Sequence, residues 1–95
     1  MHARVSFYDV GDADAAVKGF ETAVDTVKEM EGNQGLMLLV DRGGGKAITI
    51  TFWDTEERLR STTERANTVR QQAADAAGAS IRGVEQYEVA LEVGR

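Results

Sequence analysis

Residues 36–53 read Leu36-Met37-Leu38-Leu39-Val40-Asp41-Arg42-Gly43-Gly44-Gly45-Lys46-Ala47-Ile48-Thr49-Ile50-Thr51-Phe52-Trp53, and this stretch reads as a hairpin. Leu36 to Val40 is apolar on both faces, so both faces need cover. Asp41 to Lys46 supplies the connection, and Ala47 to Trp53 returns as the partner strand. In that return strand Ile48, Ile50 and Phe52 share one face, whereas Thr49, Thr51 and Trp53 share the other. The second face is half polar and partly aromatic, closer to the wall of a cavity than to solid core.

Upstream, Ala3, Val5 and Phe7 alternate with Arg4, Ser6 and Tyr8, the period of a strand that starts almost at the first residue. Asp12 is placed to cap a helix. Val17, Phe20, Val24 and Val27 then recur at three and four residues and trace one apolar stripe. Gly19 inside that helix costs about 1 kcal/mol relative to alanine, which points to close packing there. Gly32-Asn33-Gln34-Gly35 ends it. Downstream, Asp54 and Glu57 have the spacing of a capping box for a second helix. Its inner face runs through Leu59, Thr62 or Thr63, Ala66, Val69, Ala73 and Ala76 and ends at Gly78. After a short link, Tyr87, Val89, Leu91 and Val93 alternate with Gln86, Glu88, Ala90 and Glu92 as a last strand.

The order strand, helix, strand, strand, helix, strand predicts an α+β, ferredoxin-like β-α-β-β-α-β domain with one antiparallel sheet and both helices on one face. The free face would lose roughly 25 cal/mol for each Å² left unburied. A second copy of the chain covers it in this reading, giving a homodimer through the sheet face.

The 95 residues suit one domain over 1–95 and leave no room for two. A net charge of −5, from 16 acidic and 11 basic side chains, opposes a phosphate backbone and argues against nucleic acid as a partner. Arg58, Arg60, Arg65 and Arg70 stand among Glu56, Glu57, Glu64 and Asp75, the pattern of a solvated helix face. No run of roughly 18 apolar residues is present, so no membrane partner is expected and the cytoplasm is the expected location. The absence of cysteine decides nothing about compartment.

Gly43-Gly44-Gly45-Lys46 lacks the spacing and the following helix of a phosphate loop, and reads as a hairpin tip. His2 is the only histidine, and without cysteine it cannot complete a closed zinc site, so no metal is expected. Asp9, Asp12 and Asp14 lack the spacing of a calcium loop. The hydrogen-bonding and titratable groups nearest the cavity-like face are His2, Arg4, Tyr8 and Trp53, the candidates for donors or a base.

The runs Gly32-Asn33-Gln34-Gly35-Leu36-Met37-Leu38-Leu39-Val40-Asp41 and Ile48-Thr49-Ile50-Thr51-Phe52-Trp53-Asp54-Thr55-Glu56-Glu57-Arg58-Leu59 resemble the antibiotic biosynthesis monooxygenase domain family, whose members form dimeric α+β barrels. The strand ending in Trp53 and the Asp-Thr-Glu-Glu helix start match the family pattern. Gly32 to Gly35 lacks the family's usual proline and aromatic. The resemblance implies a cofactor-independent monooxygenase acting on a small aromatic or quinol-like substrate, with no cofactor. The alternatives are non-catalytic binding of a small hydrophobic ligand, or a structural or interaction dimer. The haem-degrading branch uses an asparagine, a tryptophan and an iron-binding histidine at positions that fall near Arg4, Thr62 and Gln72 here. None of the three matches.

Large residues on the first helix and the sheet face a second helix that offers chiefly threonine and alanine. This mismatch predicts a small apolar pocket lined by Phe20, Met37, Trp53, Thr62 and Ala66, with Tyr8 near its mouth.

Overall fold

Alternation of branched and aromatic residues with polar ones produces four strands, and the computed structural model joins them in one sheet of order β2-β3-β1-β4. The structure describes residues 1–94; Arg95, the last residue of the expected domain, lies outside them. The elements are β1 (His2–Val10), α1 (Ala13–Glu21), α2 (Val24–Lys28), β2 (Asn33–Asp41), β3 (Lys46–Trp53), α3 (Glu56–Ser61), α4 (Thr63–Ala77) and β4 (Ala79–Glu88). Every neighbouring strand pair is antiparallel. The fold is therefore α+β, with one four-stranded antiparallel sheet and the helices on one face.

Both helical stretches are broken by their own threonines. Thr22 Oγ1 donates to Gly19 O at 2.6 Å, and the chain restarts as α2 only after Ala23. Thr62 Oγ1 donates to Arg58 O at 2.9 Å and Leu59 O at 3.0 Å, separating α3 from α4. A threonine hydroxyl bonded back into its own turn competes with the ladder and bends it. The second cap also differs from expectation. Thr55, not Asp54, receives the Arg58 N–H on its side chain, while Asp54 pairs with Arg58 Nη1 at 2.8 Å.

Asp12 caps α1 as expected, accepting from Asp14 N and Ala15 N. Gly19 permits the close approach of α1 to α4, because a Cβ there would stand 2.3 Å from Ala77 Cα. Gly78, with φ of +65°, turns the chain straight into β4 without the expected link. The last strand consequently lies at Ala79–Glu88 rather than around residues 86–93. Beyond it, Val89 N still donates to Met1 O at 2.9 Å.

The core has two centres. Tyr8, Val10, Ala16, Phe20, Ala47, Ala73, Ala74 and Ala77 form one; Met30, Trp53 and Leu59 form the other. The opposite sheet face carries Val5, Phe7, Met37, Leu39, Ile48, Ile50 and Phe52, in register across the strands. Among the described residues no helix covers it, and Leu39 is 46% exposed and Tyr87 50% exposed at its edges.

Candidate functional site: a cationic cavity between sheet and helices

Between the two core centres lies a cavity of about 80 Å³. Its floor is the helix-facing side of the sheet: Arg4 and Ser6 from β1, Thr49, Thr51 and Trp53 from β3, and Leu36 from β2. Phe20, Ala23, Val24, Val27 and Met30 wall it on the side of α1 and α2, and Ala66, Val69 and Arg70 of α4 close it above. The space exists because α4 places a methyl group at Ala66 opposite the broken α1–α2 segment. Side chains that small leave the large residues below unmatched.

Trp53 is fully buried, and its Nε1–H donates to Thr51 Oγ1 at 3.0 Å. The Arg4 guanidinium lies over its ring, 5.4 Å from the centroid. Arg4 itself is only 3% exposed. Its Nη2 donates to Leu59 O at the end of α3 and lies 3.5 Å from Thr62 Oγ1 and 3.4 Å from Thr63 Oγ1. Its Nη1 is buried without a hydrogen-bond partner. Arg70 Nε donates to Ser6 Oγ at 2.9 Å, and its Nη1 donates to Asn67 Oδ1 at 2.6 Å.

Among the described residues no carboxylate lines the cavity and neither arginine forms an ion pair. Burial first, and the nearby Arg70 charge second, bring the Arg4 guanidinium down to about 10. Burial lowers Arg70 as well, against an opposing contribution from Tyr8. Both remain cationic at neutral pH. The cavity can therefore enclose an apolar body and present positive charge to it.

Of the residues expected to form the site, Arg4, Phe20, Trp53 and Ala66 meet around this cavity. Met37 does not. Asn33 stands opposite Trp53, and uninterrupted pairing from there would set Met37 opposite Thr49 on the cavity side. An irregularity between Asn33 and Gly35 shifts the register by one, so Leu36 faces Thr51 and Met37 faces Ile50 on the far side. Thr62 is engaged at the α3–α4 break. Tyr8 is not at a mouth but in the core, its ring 4.8 Å from Phe20 and its hydroxyl 3.1 Å from Thr49 Oγ1. His2 lines a separate shallow depression with Glu56, Leu59, Arg60, Gln86, Tyr87 and Glu88.

The residue that sequence reading placed elsewhere is Arg70, assigned to a solvated face. It follows Ala66 by four positions, which puts both on one side of α4. Ser6 and Leu36 were likewise unassigned, although Ser6 is two residues from Arg4 on the same strand face.

No family model matches the chain. Its fold, however, has clear counterparts. SnoaB, a cofactor-independent oxygenase from Streptomyces nogalater, superimposes with a TM-score of 0.74 at 13% identity, covering 99% of this chain and 97% of that one. A candidate antibiotic biosynthesis monooxygenase from Deinococcus radiodurans gives 0.71 at 14% identity, covering 100% and 98%. The fold is that of the antibiotic biosynthesis monooxygenase-like proteins. The heme-degrader MhuD from Mycobacterium tuberculosis, with two hemes bound in its active site, shares it with a TM-score of 0.68 at 22% identity, covering 99% of this chain and all of that one. In sequence, the uncharacterized protein Rv2558 of M. tuberculosis strain H37Rv is 35% identical over 71 residues, which is 75% of this chain. The matched stretch spans 30% of that relative's length.

The residues around the cavity do not fit a haem. They include no imidazole, thiolate or phenolate to hold its iron, and a thioether such as Met30 serves as an axial partner beside an imidazole. Among the described residues no three His, Cys, Asp or Glu side chains gather as a metal site, and no helix is long and apolar enough to cross a membrane.

Proposed function

We propose that the chain is a cofactor-independent monooxygenase acting on a small aromatic or quinol-like substrate held in this cavity. The observation that carries the reading is the cavity itself, with Trp53 as an aromatic wall and two arginines beside it. The likeness to the SnoaB fold agrees with it. About 80 Å³ is roughly half of the ~150 Å³ that takes benzene in an engineered apolar cavity, so a single ring is the upper limit and its entry requires α4 to move outward. A quinol binding there would supply all the electrons. One oxygen atom of O2 enters the ring as a hydroxyl, the quinol becomes a quinone, and the other oxygen leaves as water. Positive charge beside the ring favours the quinol's anion, the form that gives up an electron most readily.

Oxygen uptake with single-ring hydroquinones, in protein treated with a chelator and free of flavin, tests this reading. The expected result is saturable uptake with hydroxyquinone as product, abolished by Ala66→Phe, which fills the cavity. Uptake no faster than in buffer, or uptake indifferent to that substitution, would overturn it.

A second reading is favoured by one observation: no Asp, Glu, His, Lys or Cys lines the cavity to act as a general base. The protein would then bind a small ligand without transforming it. Binding without oxygen uptake selects this reading.

The working unit in either case is a homodimer of single-domain chains over 1–95, joined through the exposed apolar sheet face. Relatives longer than the matched stretch leave room for other arrangements of the same unit.

A further inference from the structure

We propose that the cavity takes an organic anion: the carboxylate of a small acid binds Arg4 and Arg70 while its hydrocarbon body, one ring or a short branched chain, lies along Trp53, Phe20 and Val69. This rests on the reading of the cavity as a ligand site and names the class of ligand.

Both arginines already have structural partners. Arg4 Nη2 caps the end of α3 through Leu59 O, and Arg70 holds Ser6 and Asn67. These contacts account for three guanidinium nitrogens as structural donors. They leave Arg4 Nη1, buried and without a partner. A buried donor is rarely left in that condition, because it has lost water and gained nothing. The charge is as conspicuous as the free donor. Two cations flank one cavity, Arg4 buried and Arg70 half-buried, and among the described residues no carboxylate lines it with them, although the chain carries 16 acidic residues. Like charges held together in a poorly hydrated site call for a counter-charge.

The remaining wall says what kind of anion. Apart from Ser6, Thr49 and Thr51, it is hydrocarbon or indole, and Thr51 already receives the Trp53 N–H. A phosphate or sulfate would find too few donors for its several oxygens. A planar carboxylate matches the planar fork of a guanidinium, and a hydrocarbon group behind it satisfies the apolar wall. The small volume, about 80 Å³, limits that group to one ring at most.

The test uses the whole wild-type protein and three single-ring probes, benzoate, its planar isostere benzamide, and the smaller benzyl alcohol, titrated near neutral pH by calorimetry and by Trp53 emission. Benzoate is expected to bind at least about tenfold more tightly than either neutral probe, as a charge-assisted pair requires. Arg4→Met and Arg70→Met, checked for folding by circular dichroism, should each erase that preference while leaving benzamide binding in place. Arg65→Met, on the exposed side of α4, should change neither, and Arg4→Lys should restore part of the preference. Equal binding of benzoate and benzamide by the wild-type protein would overturn the anion subsite and leave the cavity reading standing. Loss of benzamide together with benzoate in the arginine variants would mean that the arginines only build the cavity, and would overturn it too. Failure of all three probes to bind would remove both the subsite and the ligand-site reading beneath it.

Discussion

At the scale of single residues, the arginine on β1 bears the greatest tension between structure and use. Its burial beside a second cation is unfavourable to the ligand-free fold, and a residue kept for binding at the expense of stability should be replaceable with a gain in stability. Arg4→Met keeps an unbranched chain as far as the position of Nε, removes the buried charge and leaves no orphan carbonyl, because Leu59 O still accepts from Thr62 Oγ1 at 3.0 Å. We expect this variant to melt no lower than wild type, and to be up to about 2 kcal/mol more stable, as buried charges replaced by hydrophobic side chains often are. A loss of more than about 1 kcal/mol in a denaturant titration would show that the guanidinium's hydrogen bonds outweigh its burial. The pH dependence has a definite sign. Arg4 is lowered to about 10, so above that pH the unfolded chain holds the proton more tightly than the folded one. Its unfavourable contribution is therefore constant at and below neutral pH and is relieved only as pH rises through about 10. The difference in melting temperature between wild type and Arg4→Met should be flat from mildly acidic to mildly alkaline buffer.

At the scale of elements, the contact of α1 with α4 decides how closely the helices seat on the sheet. Gly19 lies against the backbone of Ala76 and Ala77, which is the close packing its position in the sequence implied. Alanine there improves local helix propensity by about 1 kcal/mol, yet its Cβ would collide with main chain that cannot move as a side chain can. Gly19→Ala should therefore destabilise the protein by about 1–3 kcal/mol net; a stabilised variant would mean that α4 shifts freely. The first three strands, the hairpin, the first helix cap and the side on which Thr49, Thr51 and Trp53 lie were all legible, because each is a local pattern of period or capping chemistry. Three features were not. The inward turn of Leu36 in place of Met37 depends on the bulge after Asn33, held by Gly35 N donating to Asn33 Oδ1 at 3.1 Å and by φ of +131° at Gly35. Period-two counting cannot register one extra residue. The helix breaks depend on hydroxyls that could equally have faced solvent. The last strand was misplaced because 86–93 alternates as regularly as 79–88, while the edge strand itself exposes Ser80, Arg82 and Glu85. Arg70 escaped for a related reason: among so many charged neighbours, only its contact with Ser6 distinguishes it.

At the scale of the whole molecule, the helix-free side of the sheet is the feature that a lone subunit does not explain. Val5, Phe7, Ile48, Ile50 and Phe52 form a continuous patch, in register across β1 and β3, and contiguous apolar surface of that kind is what the proposed dimer would bury. Light scattering after size exclusion should give close to twice the subunit mass of 10.3 kDa, and Ile50→Glu should reduce it to a single subunit. A wild-type mass near 10.3 kDa would end the dimer reading. The same molecule is negative when viewed from afar, at −5 per chain, and positive inside its cavity. An acid diffusing toward it meets that repulsion only within about one Debye length of the surface, ~8 Å at physiological ionic strength, and is attracted only on entry. Salt screens the outer repulsion more completely than the inner attraction, since enclosed charges are less accessible to ions. Capture of such a ligand would consequently quicken as ionic strength rises, the reverse of proteins whose surface field draws substrate in.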